Sequence, residues 1–362
     1  MNPVRRLKEF GQSPWLDDLR RGLFSGGRFE RLMEEDGICG ITSNPTILAR
    51  AIVDSDEYRE VVARLGSRFC KPEERYEALV FEEIRLAADR LMPAYRESDR
   101  LDGYVSLEIS PHLAYDADLS IREAKRLWRA IDRPNLMIKI PATEPGLKAI
   151  RQLTICGINV NATLLFSPVR YVQVAEAWRE GMAERVARGL PVEGKASVAS
   201  FFVSRIDTLA DTLLAEKRSD DARALQGEVA VAAAKVAYRA FKRLSATSAW
   251  RLLHDMGVRP QRLLWASTST KNPLYSDVKY VDALIGPHTV TTLPPDTLEA
   301  YRDHGRPGRR LEEGLDAAAE MLETLAALGI DFEAMAERLE REGVAKFQDS
   351  FRRLLDALTE RR

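Results

Sequence analysis

The sequence is poor in cysteine and histidine and has no long apolar run. Each shortage removes a class of chemistry. The three cysteines, Cys39, Cys70 and Cys156, are far apart, odd in number and form no Cys-x-x-Cys pair. That argues against a disulfide framework and a thiolate zinc site, and for a reducing compartment, the cytoplasm. The four histidines, His112, His254, His288 and His304, show no metal-ligand spacing. Neither of the glycine-rich phosphate loops G-x-G-x-x-G and G-x-x-x-x-G-K-[ST] occurs, nor the nucleophile elbow G-x-S-x-G. Metal, nucleotide and acyl-transfer chemistry therefore gain no support. No run approaches the roughly eighteen apolar residues of a membrane span, and Met1 to Phe10 is charged and lacks a signal-like apolar core. Excess charge of one sign is missing too. Lys and Arg number 54 against 55 Asp and Glu. Nothing global favours nucleic acid or an anionic membrane, although a local basic pocket for a small anion is compatible.

What is present is a soluble, globular composition, 45% hydrophobic and 30% charged over 362 residues. Strand-like stretches recur along the chain. They are Ser13–Leu19, Gly37–Thr42, Tyr104–Ser110, Asn135–Thr143, Ile158–Leu164, Ala196–Val203, Leu263–Thr268 and His288–Thr292. Between them lie amphipathic helical patterns, such as Pro72 to Met92 with apolar residues at helical spacing. Ser120, with Glu123 three residues on, reads as the N-cap of a helix running to about Ile131. This alternation predicts an α/β fold, a (β/α)8 barrel. Residues 1–362 read as one barrel domain with an extra N-terminal helix, a helical insertion between strands six and seven at about 206–262 and a C-terminal helical extension at about 311–360.

Lys139, near the end of Asn135–Thr143, is the anomaly. Strand side chains alternate between faces, so Lys139 shares its face with Asn135 and Met137. A buried lysine needs a carboxylate partner or works as a neutral amine. Other strands also carry polar residues late. They are Asp17 on the first, Glu108 on the third, Asn159, Asn161 and Thr163 on the fifth, Ser200 on the sixth, and Ser267, Ser269 and Lys271 on the seventh. Barrel interiors are normally filled by branched apolar side chains, and catalysis sits at the C-terminal strand ends. A hydrogen-bonded polar plug explains any one of these residues, but the whole set is how an acid–base site is built. Lysine attack on a ketone gives a Schiff base that acts as an electron sink for carbon–carbon cleavage. Glu108 and Asp17 are candidates for the proton transfers, and Thr163 for holding a water. Arg205 and Lys271 are candidates for gripping a distant anion. Arg302, Arg306, Arg309 and Arg310, among Gly305, Pro307 and Gly308, read as a solvated loop.

These residues carry a resemblance. Gly40-Ile41-Thr42-Ser43-Asn44-Pro45-Thr46 and Leu136-Met137-Ile138-Lys139-Ile140-Pro141-Ala142-Thr143 resemble the two signatures of the transaldolase family, in its longer bacterial form. Gly157 to Ser167, Ser200 to Arg205 and Trp265 to Pro273 match further blocks. The resemblance implies Schiff-base transfer of a dihydroxyacetone unit in the non-oxidative pentose phosphate pathway. Donors would be sedoheptulose 7-phosphate or fructose 6-phosphate, and acceptors glyceraldehyde 3-phosphate or erythrose 4-phosphate, with no cofactor. Lys139 would be the nucleophile. Glu108, with Thr163 and a water, would handle Schiff-base protons, and Asp17 the acid–base step at the breaking bond. Asn44, Asn161 and Ser200 would bind the dihydroxyacetone hydroxyls, and Arg205, Ser269 and Lys271 the phosphate. Shorter members carry arginine where Lys271 falls. Some longer members continue into a sugar-phosphate isomerase, for which this chain is too short. The rivals are a fructose 6-phosphate aldolase-like enzyme, whose relatives are shorter and lack the Glu108-type carboxylate, and a non-catalytic sugar-phosphate-binding barrel. Sugar phosphates are the expected partners, neither nucleic acid nor membrane is, and a homo-oligomer is left open.

Overall fold

The computed structural model describes residues 2–54 and 56–360. Eight parallel strands close into a barrel in sequence order. They are β1 (Gln12–Leu16), β2 (Gly40–Thr42), β3 (Tyr104–Glu108), β4 (Leu136–Pro141), β5 (Val160–Leu165), β6 (Ser197–Phe202), β7 (Arg262–Ala266) and β8 (Thr289–Leu293). Every strand residue is buried. Parallel strands covered by helices on the outside read as near-continuous apolar runs, so the polar residues on the inner face stand out.

Seven of the eight strands are a residue or more shorter than their sequence patterns, and β8 keeps its length but is shifted by one residue. Gly37, expected to open the second strand, has a φ of 71° and belongs to the turn before β2. Asp17 lies just past β1, and its N–H still donates to the Leu293 carbonyl at 3.1 Å, which extends the ladder by one residue. The expected N-cap is corrected. The helix runs Ala117–Ile131, and Asp116 caps it by accepting from the Leu119 N–H at 2.8 Å. Ser120 lies one turn inside, donating to the Leu113 carbonyl. The arginine loop holds for Arg306, Arg309 and Arg310 but not for Arg302. Pro294-Pro295 ends β8 but opens a helix, Pro295–His304, because proline is favoured at the first helical position. Arg302 lies in that helix, and its guanidinium binds the fully buried Asp36 carboxylate.

A paired polar plug does exist, at the opposite end from the predicted site. Arg262, at the N-terminal end of β7, is buried. It donates to the Leu101 carbonyl and Asp102 Oδ1 at 3.1 Å and to the Thr289 carbonyl at 2.7 Å. The lower end of the barrel interior is thereby occupied by a paired charge rather than by apolar side chains alone.

The expected surplus helices are present. Between β6 and β7 run Ser204–Ala215, Asp220–Leu225, Val229–Ser245 and Ser248–Asp255. After β8 come Leu315–Ala327 and Phe332–Glu360. The last helix packs along Pro45–Asp54, where Thr46 Oγ1 donates to Ser350 Oγ at 2.9 Å. Among the described residues no helix is long and apolar enough to cross a membrane.

Gly40 sets how close β1 and β2 approach. A Cβ there would lie 2.4 Å from the ring of the fully buried Trp15. Gly40→Ala is expected to cost about 3 kcal/mol or more, since the indole is walled in and cannot retreat. Urea unfolding that leaves the midpoint unchanged would contradict this packing.

Candidate active site

Strand register builds the site. In β3, β4 and β5 the aligned residues are Glu108, Lys139 and Asn161, so three polar side chains lie abreast on one face. The Lys139 Nζ is 3.4 Å from Glu108 Oε1 and donates to the Ser43 carbonyl at 3.3 Å. Lys139 and Glu108 are 6% and 7% exposed, so neither is solvated as a surface charge would be. The partner carboxylate that a buried lysine requires is therefore Glu108. Burial pushes the Glu108 carboxyl above its usual range; Lys139 opposes this and Asp17 adds slightly to it. A carboxyl held up in this way accepts a proton more readily than an ordinary glutamate.

Asp17 enters from the end of β1. Its Oδ1 accepts from Thr42 Oγ1 at 2.7 Å, and the Asn44 side chain also bonds to it. Burial raises its carboxyl too, against the lowering effects of Lys139, Thr42 and Asn44. Asn44 holds position by capping: its Oδ1 accepts from the Thr46 N–H at 3.0 Å at the head of the Pro45–Asp54 helix. On the other side, Ser200 Oγ donates to Asn161 Oδ1 at 2.6 Å, and Asn161 Nδ2 donates to Ser106 Oγ at 3.0 Å. This relay fixes which way the Asn161 amide points.

Thr163 sits at an irregularity. The β5–β6 register shifts between Ala162 and Leu165, and Leu164 takes a φ of 60°. A bulge of this kind re-aims side chains at the rim of a barrel. The Thr163 hydroxyl and both Glu108 oxygens have no hydrogen-bond partner among the described residues. Buried polar atoms without partners are uncommon, and here they cluster beside Lys139.

A cavity of about 590 Å3 opens above this floor. Asp17, Asn44, Lys139, Thr163, Ser200, Arg205, Ser269 and Lys271 all line it. Asn161 and Glu108 do not; they stand behind Ser200 and Lys139 respectively. Asn159, in phase with Asn161, faces the lower end and donates to the carbonyls of Pro134 and Leu136 at 3.0 Å. Arg205 is packed between two rings, with Cζ 5.5 Å from the Phe202 centroid and 5.9 Å from that of Phe347. Lys271 Nζ donates to Ser269 Oγ at 2.7 Å.

Two further cations reach the same cavity, Arg50 from the helix after β2 and Lys346 from the last helix. Sequence reading missed both. Arg50 looks like any exposed helical charge, and Lys346 lies some seventy residues beyond Lys271 with no strand end nearby.

The β6–β7 insertion supports the loop that carries Ser269 and Lys271. Asp211 accepts from Tyr275 Oη at 2.8 Å and from the Gly227 N–H at 2.7 Å. Asp207 accepts from Tyr280 Oη at 2.8 Å and from the Ala230 N–H at 2.7 Å. Burial pushes Asp207 up to about 6. Two acidic residues of one insertion helix thus hold two tyrosines of the β7–β8 loop.

An amine ion-paired beneath an upward-opening cavity, between the buried Glu108 carboxyl and the half-buried Asp17 carboxyl and below a group of cations, defines a Schiff-base enzyme acting on an anionic carbonyl compound. The model of the Transaldolase/Fructose-6-phosphate aldolase family matches residues 14–358, and the chain belongs to that family. Transaldolases are transferases of aldehyde or ketone residues, and the family uses a Schiff base. The chain is 45% identical over 355 residues to the transaldolase of Thiobacillus denitrificans, covering 98% of this chain and 99% of that one. It is 44% identical to transaldolase 2 of a Nostoc species over 370 residues, covering 99% and 97%. With the transaldolase of Thermobifida fusca the identity is 41% over 360 residues, covering 99% and 98%.

Proposed function

We propose that the chain is a transaldolase, moving a dihydroxyacetone unit between sugar phosphates in the non-oxidative pentose phosphate pathway. The observation that carries this reading is Lys139 Nζ, 3.4 Å from Glu108 on the floor of the cavity. Nζ attacks the C2 ketone of the donor. The carbinolamine loses water, with Glu108 delivering and recovering protons through a water held with Thr163. Asp17 takes the proton of the C4 hydroxyl, the C3–C4 bond breaks, and its electron pair passes into the protonated imine. The aldehyde leaves, and the enamine stays on Lys139 until the acceptor aldehyde arrives. Reversal then forms the new carbon–carbon bond, and hydrolysis frees the product. Donors are sedoheptulose 7-phosphate or fructose 6-phosphate; acceptors are glyceraldehyde 3-phosphate or erythrose 4-phosphate. Asn44, Asn161 and Ser200 orient the dihydroxyacetone hydroxyls, with Asn161 acting partly through Ser200. Arg205, Ser269 and Lys271 hold the phosphate. Three unbonded cysteines are compatible with a reducing cytoplasm.

Product analysis with fructose 6-phosphate, with and without erythrose 4-phosphate, tests the reaction. Transfer requires sedoheptulose 7-phosphate only when the acceptor is present, and little free dihydroxyacetone without it. Rapid release of free dihydroxyacetone in the absence of acceptor would make the protein an aldolase instead.

The insertion gives a second test. Tyr275→Phe removes the hydrogen bond to Asp211, of the kind that contributes about 1–2 kcal/mol. The KM for fructose 6-phosphate is expected to rise up to roughly tenfold, with kcat little changed. An unaltered KM would mean that the Lys271 loop does not depend on this anchor.

A further inference from the structure

Four of the cations that line the cavity have no carboxylate at ion-pair distance among the described residues, although Asp17, Asp18 and Asp296 line it as well. Arg50, Arg205, Lys271 and Lys346 all face it, and among the described residues none of them is in an ion pair. The nearest acidic influence on Arg205 is Glu342, whose Oε1 accepts from Arg338 Nε at 2.7 Å. Elsewhere on this protein charged side chains pair freely. On the same last helix Arg352 lies 3.3 Å from Asp349.

The arrangement is built rather than incidental. The Pro45–Asp54 and Phe332–Glu360 helices are tied by the Thr46–Ser350 hydrogen bond. Arg50 lies one turn after Thr46, and Lys346 one turn before Ser350. Residues four apart share a helix face. The two cations therefore face the same cavity from neighbouring helices, both exposed, and an anion there would be held from two sides. Gly343, one turn before Lys346, lets the last helix come close: a Cβ there would lie 3.5 Å from Arg205 Nη1 and 2.9 Å from Leu164 Cδ2. Phe347, next to Lys346, packs on the Arg205 guanidinium. The cations also feel one another. Arg205 foremost, with burial and Arg50, pushes the Lys346 ammonium down, and burial followed by Lys346, Arg205 and Arg50 does the same to Lys271.

We propose that Arg50 and Lys346 bind the phosphate of the sugar substrate together with Arg205, Ser269 and Lys271, which makes the C-terminal helix part of the substrate site. The inference rests on the transaldolase reading for the substrate, but not for the anion. Its chemistry is that of a phosphate dianion. Long flexible stems at the mouth also suit acceptors that differ in length by one carbon, because the phosphate must then be held at two distances from the reacting carbon.

Calorimetric binding of inorganic phosphate and steady-state kinetics with fructose 6-phosphate test the proposal on Arg50→Met, Lys346→Met and Arg352→Met. Charge-assisted contacts to phosphate are strong. Each of the first two variants is expected to weaken phosphate binding and raise the KM about tenfold, with kcat within threefold. Arg352→Met should match the parent. Borohydride trapping of unphosphorylated dihydroxyacetone on Lys139 should be equal in all of them. Unchanged phosphate affinity and KM in Arg50→Met and Lys346→Met would overturn the inference, as would an equal loss of dihydroxyacetone trapping, which would mark a structural role. Failure of the parent itself to form any adduct would instead strike the Schiff-base reading, with phosphate binding still deciding the role of the two cations.

Discussion

Lys139→Met loses transfer activity by a factor on the order of 10^4 or more, with the fold intact. Methionine matches the length of much of the lysine stem but carries no nucleophile, so no covalent intermediate forms and the two-step route is closed. The substitution removes a buried cation next to Glu108, whose carboxyl is already pushed up by burial. Without Lys139 the influence that favours the ionised carboxylate is gone and Glu108 shifts further toward its neutral form, so a large collapse in stability is not expected. Activity in stopped assays, together with the thermal midpoint, checks both halves. Residual activity within tenfold of the parent would mean that another group carries the reaction.

The two carboxyls should separate into different steps. Asp17→Asn is expected to lose about 10^2 to 10^4 in fructose 6-phosphate cleavage, yet still trap dihydroxyacetone on Lys139 under borohydride. Glu108→Gln is expected to lose a similar factor in adduct formation itself, because the dehydration of the carbinolamine is what suffers. Burial raises both carboxyls above their ordinary values. A base must be deprotonated to act, so activity falls as pH drops through these raised values. The acid limb of kcat/KM therefore lies above the usual carboxylate range. Identical defects in both variants at both steps would contradict the division of labour.

Much of this site could be read before any fold was seen. Glu108, Lys139, Asn161 and Ser200 each interrupt a strand pattern, and their placement follows from alternation along the strand and from the parallel order β3–β4–β5–β6. What alternation cannot provide is register. That Glu108 and Lys139 align exactly across two strands is settled by the packing of the whole barrel. Nor does alternation separate the wall of a cavity from what stands behind it: Ser200 lines the cavity, and Asn161 stands behind it, bonded to its hydroxyl. Arg50 and Lys346 gave no local signal at all, since each sits on a helix where charges are ordinary. The Arg262 plug gave no signal either, because an arginine just before the apolar run of β7 looks like a loop residue. The Ser120–Glu123 spacing points one turn too late for the cap of the Ala117–Ile131 helix. Asp116 won, leaving Ser120 to bond back to the preceding turn.

Reduction with borohydride in the presence of fructose 6-phosphate, followed by peptide mapping, tests the central claim most directly. The account predicts a single dihydroxyacetone-derived adduct, on the peptide bearing Lys139, formed together with an equivalent of glyceraldehyde 3-phosphate. The absence of an adduct, or its appearance on another lysine such as Lys271, would contradict it.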